Sequence, residues 1–207
     1  MLFLASASPR RKELLGLLVS EFEILPANID ETPHQGEPAK EYVIRMAIEK
    51  AKAAAILYSE NHCSDKAILS QAPIFLSSDT SVVVDDSILG KPTSLNDSQV
   101  MLRQLSGRSH NVMTSICFYQ PDRDHMITQC VVSCVTFRPI SNIEIEQYWR
   151  SGEPKDKAGS YGIQGLGSIF VESISGSYSG IVGLPLFEVA LLLKQFGIHS
   201  LEEISHE

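Results

Sequence analysis

The chain has 207 residues and a mass of 22.8 kDa; 43% of its residues are hydrophobic and 20% charged, enough to bury a core without a disulfide staple. With 17 Lys+Arg against 25 Asp+Glu the formal net charge is −8, which disfavours long-range attraction to nucleic acid or to an anionic membrane. Cys63, Cys117, Cys130 and Cys134 form no C-x-x-C pair and the histidines are dispersed, so neither a zinc site nor a disulfide framework is indicated.

Leu2-Phe3-Leu4-Ala5 reads as a short buried strand, and Ser8-Pro9 has the form of a helix cap followed by proline at the first helical position. Residues 21–25 read as a second strand and 39–57 as a long helix, while the polar, aperiodic segment 59–71 is expected as a surface loop. Residues 74–84 form a strand pattern that turns through Asp85-Asp86 into a hairpin. A helix follows from Ser94 towards Gly107, with Asp97 completing a capping-box pattern. Residues 111–119 and 126–137 are expected as paired strands, and Ser141 with Glu144 caps a helix running to about Arg150. The stretch 159–183 is rich in glycine and serine with two β-like runs, 168–171 and 181–182, and 186–196 is a closing amphipathic helix. This mixture predicts an α/β fold, a mixed twisted sheet with flanking helices, in a single domain over residues 1–207. No apolar run approaches the ~20 residues of a membrane span. Ala5-Ser6-Ala7 lacks the basic and apolar segments of a secretion signal before it, so a soluble cytoplasmic protein is expected.

The turn Ser8-Pro9-Arg10-Arg11 is the first chemical signal. Two arginines at a helix N-terminus oppose its dipole by a few tenths to ~1 kcal/mol each, and a bound anion reverses that sign. A phosphate there would accept from the Ser8 hydroxyl, the first-turn amides and a guanidinium; two solvated arginines after an ordinary cap is the other reading. Asp79 is the second signal, because an ionised carboxylate inside the apolar run 74–84 costs several kcal/mol unless it meets a cation, a metal or strong donors. That makes Asp79 a metal ligand or a general base, unless 77–81 is a sheet edge. Lys52 lies four residues from both Ile48 and Ile56 and carries its ammonium either inward to an anion or out to solvent. Lys91 is similarly fixed between Gly90 and Pro92. The glycines of 152–167 allow close backbone approach but match neither G-x-G-x-x-G nor a P-loop. With no G-x-S-x-G and no H-E-x-x-H, serine-hydrolase and zinc-protease readings fall away as well.

Four motifs in order, Leu4-Ala5-Ser6-Ala7-Ser8-Pro9-Arg10-Arg11-Lys12-Glu13-Leu14-Leu15, Glu49-Lys50-Ala51-Lys52, Ser78-Asp79-Thr80 with Gly90-Lys91-Pro92, and Lys157-Ala158-Gly159-Ser160-Tyr161-Gly162-Ile163-Gln164-Gly165, closely resemble the Maf family of septum-formation-type nucleoside triphosphate pyrophosphatases. The resemblance runs to about Phe187. It implies an inosine-triphosphatase-like α/β fold with two lobes around a nucleotide cleft, a divalent metal (Mg²⁺ or Mn²⁺), a homodimer, and hydrolysis of a nucleoside triphosphate to monophosphate and pyrophosphate. It places the catalytic carboxylate at Asp79, phosphate contacts at Ser8, Arg11, Lys52 and Lys91, and metal-side carboxylates at Asp79 and Glu31. Its substrate-selecting positions fall on Arg10, Thr80 and Gln164, and these residue types resemble the subgroup acting on dTTP and UTP rather than on 7-methyl-GTP. Gln164 offers a donor and an acceptor, which suits the imide edge of uracil or thymine. Two features depart from the pattern: Ser77-Ser78 stands where the family has a small apolar pair, and 59–71 is longer than usual. The alternative is a nucleotide-sensing regulator of division without turnover; a sensor, however, has no need of a carboxylate beside the α-phosphate.

Overall fold

The computed structural model describes residues 1–62 and 72–200. Strand β1 (Leu2–Leu4) is buried at every position and pairs in parallel on both sides, with β2 (Glu23–Ile24) and with β3 (Ile74–Val84). A strand covered on both faces has no polar side to alternate, which is why its sequence is purely apolar. Ser8 stands at the N-cap of α1 (Pro9–Gly16), and α2 (Ala39–Asn61) leads back to β3. Asp85 and Asp86, with φ of 48° and 61°, make a turn of two left-handed residues into β4 (Ser87–Leu89), as a two-residue hairpin requires. Then come α3 (Leu95–Leu105), β5 (Ser109–Gln120), β6 (His125–Phe137), α4 (Asn142–Arg150), β7 (Val171–Ser175), α5 (Tyr178–Val182) and α6 (Leu186–Gln195). Among the described residues the strands form one seven-stranded sheet in the order β2-β1-β3-β5-β6-β7, with β4 on β3 off that path. It is parallel at β2-β1-β3 and antiparallel at β3–β4 and β6–β7, the mixed sheet expected of an α/β chain.

Local signals account for most element ends. At Ser141 the capping box is complete: its hydroxyl accepts from Glu144 N, and the Glu144 carboxylate accepts from Ser141 N at 2.8 Å. At Ser94 only half the box forms, because the Asp97 carboxylate accepts from Thr93 N instead. Helix α2 runs to Asn61, so the first residues of the loop expected over 59–71 are helical, while 63–71 lie outside the described residues. The β-like run 168–171 is mostly a 3-10 turn (Leu166–Phe170), with β7 starting at Val171. Residues 181–182 belong to helix α5, not to a strand, because the Ser177 hydroxyl accepts from Gly180 N at 3.0 Å and caps that turn.

The chain divides into two compact units, Met1–Asp79 with Ser115–Cys130 and Gly183–Glu207, and Thr80–Thr114 with Val131–Val182. The first is built on Phe3, Tyr58 and Phe75, with Phe3 4.8 Å from Tyr58 and 5.3 Å from Phe75 between ring centroids. Burying each such ring contributes roughly 1.5–3 kcal/mol. Helix α2 supplies Tyr58 to this cluster together with Ala54 and Ala55, and its Ala47 and Ala51 pack with Cys117 of β5, small side chains that let the helix approach closely. The second unit centres on Phe137, Tyr161 and Phe170, with Tyr148 edge-on to Phe170 at 5.2 Å. No described helix is long and apolar enough to cross a membrane.

Candidate active site

In the first unit β1 and β3 run side by side only as far as Leu4 and Leu76. Past that point β1 becomes the turn before α1, and β3 continues to Asp79, so the carboxylate stands beyond the carboxyl end of a parallel pair, where open α/β sheets bind ligands. Asp79 is 8% exposed. Its Oδ1 meets Lys50 Nζ at 2.6 Å, and the same ammonium meets Glu31 Oε1 at 2.7 Å. Two carboxylates thus share one cation, and the third N–H of Lys50 has no partner among the described residues.

Arg11 is the second cation. Its Nε donates to the Gly183 carbonyl at 3.0 Å and its Nη1 to Ser6 Oγ at 3.3 Å. Burial pushes the Arg11 guanidinium below its ordinary pKa, opposed by Asp79 and Glu31 and reinforced by Arg10. A buried guanidinium gains most from an anion placed against it. Ser8 donates its backbone N–H to Ser6 Oγ at 3.2 Å, and its hydroxyl makes no capping bond to α1. Arg10 is half-buried beside Arg11.

Glu31 is carried by a loop braced onto α2. The Tyr42 hydroxyl donates to the Glu31 carbonyl at 2.9 Å, and Arg45 grips Glu37 through two bonds of 2.6 and 2.7 Å and Thr32 O at 3.2 Å. Hydrogen bonding by Arg45 holds the Glu37 carboxyl down at about 2. Burial, then Asp79 and Glu31, push the Tyr42 phenol up to about 12.

The lysine that reaches Asp79 is Lys50, and Lys52 is exposed. A helix turns ~100° per residue, so the two side chains leave α2 about 200° apart. Lys50 lies three residues after Ala47, on the buried stripe; Lys52 lies on the line of Ile48 and Ile56, and Ile56 is 59% exposed. The spacing from those isoleucines pointed to the exposed face, whereas the alanines mark the face from which a lysine reaches Asp79. Ser77 and Ser78 take up the two faces of β3. The Ser77 hydroxyl donates to the Ala47 carbonyl in α2, and Ser78 donates at 2.8 Å to the Gly183 carbonyl that also receives Arg11. The departure from an apolar pair is therefore hydrogen-bonded throughout, and it leaves Asp79 on the face of Ser77, towards α2.

The other sequence-predicted residues belong to the second unit. Thr80 Oγ1 lies 3.0 Å from Thr114 Oγ1, which donates to the Gly180 carbonyl at 2.7 Å. Lys91 is exposed next to Gly90, whose carbonyl accepts from Gly159 N at 3.0 Å. Gly159 has φ +65°, and a Cβ there would stand 2.7 Å from Val82 Cγ1, so glycine is required on both counts. Ser160 follows with φ +63°, its hydroxyl 2.6 Å from that of Ser98. Gln164 is exposed in the turn beyond. Sequence reasoning passed over Glu153 and Tyr148, which hold that turn: Glu153 Oε2 accepts from Leu166 N at 2.8 Å and Oε1 from Gly167 N at 3.0 Å.

A small α/β protein thus carries a buried aspartate, its lysine partner and a part-buried arginine beyond its parallel strands, a set of charges chemically able to meet an anion. The chain belongs to the Maf-like protein family, which matches it over residues 1–196. It is 50% identical over 202 residues to a dTTP/UTP pyrophosphatase of Shewanella oneidensis, covering 95% of this chain and 98% of that protein. It is 48% identical over 195 residues to a dTTP/UTP pyrophosphatase of Vibrio parahaemolyticus, covering 94% and 96%. A third, of Aromatoleum aromaticum, is 43% identical over 205 residues and 95% of each chain.

Proposed function

We propose that the chain is a nucleoside triphosphate pyrophosphatase that hydrolyses dTTP and UTP to the monophosphate and pyrophosphate. The observation that carries this reading is the buried Asp79 carboxylate held at 2.6 Å by Lys50, with Arg11 acting on it from α1. Lys50 and Arg11 bind the anionic triphosphate, joined by the Ser8 hydroxyl and first-turn amides of α1. Asp79 takes a proton from a water that attacks the α-phosphorus; the new O–P bond forms as the α–β anhydride bond breaks, and its electron pair leaves with pyrophosphate. Lys91, Arg10, Thr80 and Gln164 keep the phosphate and base roles that the family pattern assigns to those positions.

The donor set also fits a divalent ion. Glu31 and Asp79 already share one cation, and Mg²⁺ takes one or two carboxylates and completes its shell with water and phosphate oxygens. Among the described residues no group of three or more His, Cys, Asp or Glu side chains forms a closed cage. When bound by Glu31 and Asp79, Mg²⁺ or Mn²⁺ would offset phosphate charge.

Incubation with dTTP, UTP, CTP, dGTP and ITP, followed by chromatography of the products, tests the reading. Monophosphate and pyrophosphate are expected from dTTP and UTP, with kcat lowered by about 10²–10⁴-fold in Asp79→Asn. Undiminished turnover in that variant, or nucleotide binding by the wild type without turnover of any triphosphate, overturns it.

A further inference from the structure

We propose that Glu153 is a positioning residue for base recognition, holding residues 162–167 through its carboxylate and the Tyr148 hydroxyl so that Gln164 meets the base in one pose; this rests on the pyrimidine-triphosphate reading above. The Tyr148 hydroxyl donates to Glu153 Oε1 at 2.7 Å and accepts from Gly162 N at 3.0 Å. Glu153 Oε1 also accepts from Gly167 N, and Oε2 from Leu166 N. The amides on both sides of Gln164 are therefore tied to one carboxylate–phenol pair, while Gln164 itself is exposed between them.

The glycines report how tight this tie is. A Cβ at Gly165 would fall 2.2 Å from Glu153 Oε2, and one at Gly167 would fall 2.6 Å from the Tyr148 oxygen. The carboxylate cannot swing aside without releasing its three hydrogen bonds. Burial raises the Glu153 pKa, but the bonds from Gly167, Tyr148 and Leu166 together with Lys157 outweigh it, leaving the group below its ordinary value. Its three donors all come from the protein, so the carboxylate is spent on geometry.

Uracil and cytosine differ by exchange of a donor and an acceptor along one edge, and an amide side chain satisfies either by rotating. Discrimination then depends on the backbone that carries the amide being fixed, as binding sites generally require of their supporting residues. A loosened turn still binds pyrimidines and no longer separates them.

The test is kcat and KM for UTP and CTP in the full chain carrying Glu153→Gln, Tyr148→Phe or Gly165→Ala, with amide exchange of Leu166 and Gly167. Glu153→Gln is isosteric but turns an amide group towards backbone donors. The expected result is a UTP-over-CTP preference reduced about tenfold or more, a higher KM for UTP, kcat within about threefold of wild type, and faster exchange at both amides. Tyr148→Phe, which keeps its ring on Phe170, decides the matter if Glu153→Gln does not fold. Unaltered preference and KM in the folded variants overturn the positioning role alone. A wild type that hydrolyses no triphosphate overturns the parent reading and this one with it.

Discussion

Asp79 meets a lysine ammonium at 2.6 Å, whereas Glu153 meets a phenol and two backbone amides at 2.7 to 3.0 Å. Asp79 is buried and Glu153 part-buried, and each would be costly if left unpaired. The first is satisfied by a long side chain that an arriving anion can recruit, the second by groups that cannot move without unfolding a turn. A carboxylate paired to mobile side-chain charge stays available for chemistry, while one bound by main chain becomes architecture.

That contrast breaks most visibly at α2. Lys50→Met is expected to lower kcat/KM for UTP by about 10²–10³-fold, the loss typical of removing one preorganised donor that offsets charge in the transition state. Lys52→Met is expected to remain within about twofold, and steady-state kinetics on both variants check it; equal losses would undo the assignment of Lys50.

The second region is expected to answer through stability. His110 is buried edge-on to Phe137, its Nε2 2.8 Å from the Tyr161 hydroxyl, and burial pushes its pKa from 6.5 down to about 4. The native state thus refuses a proton that the unfolded chain accepts below pH 6.5, so stability falls as pH drops from 6.5 and levels off below about 4. The slope amounts to ~1.4 kcal/mol per pH unit, or about 3 kcal/mol over the interval. Urea unfolding across that range is expected to show the slope in wild type and to show it much reduced in His110→Gln.

The smallest effect belongs to a cap. Ser141→Ala is expected to cost about 1 kcal/mol at pH 7 by urea unfolding, with kcat unchanged. Arg138, followed by Ser141, holds the Glu144 carboxyl down at about 2, so its stabilisation is full above the ordinary 4.5 and is lost as pH falls towards 2. A Ser141→Ala variant that lost turnover without losing stability would blur the contrast between the two regions.

The fold was legible where elements carry their own signals. The eleven residues of β3 are apolar or small apart from Asp79, and the Ser141 box and the Asp85-Asp86 turn use residue types suited to their geometry. Asp79 could be found because a charge in that company is an anomaly. Lys50 was missed because the buried stripe of α2 is made of alanines, which weigh little in hydropathy beside Ile48 and Ile56. Glu153 was missed for a different reason: its partners are amides, which every residue possesses, and Gly165 and Gly167 are the only trace they leave in the sequence. Helix α5 depends on the Ser177 cap, and its apolar residues alone suggest a strand.

Ser77 and Ser78 act on β3 as a phase lock. Side chains alternate along a strand, so a slip of one residue would send each hydroxyl to the face of the other and turn Asp79 away from Lys50. Both serines are fully buried, and each hydroxyl stranded without its carbonyl would cost ~1–3 kcal/mol. The register that brings Asp79 to Lys50 is thereby the register that satisfies the strand, and a chain folded out of phase is penalised in the folding equilibrium itself.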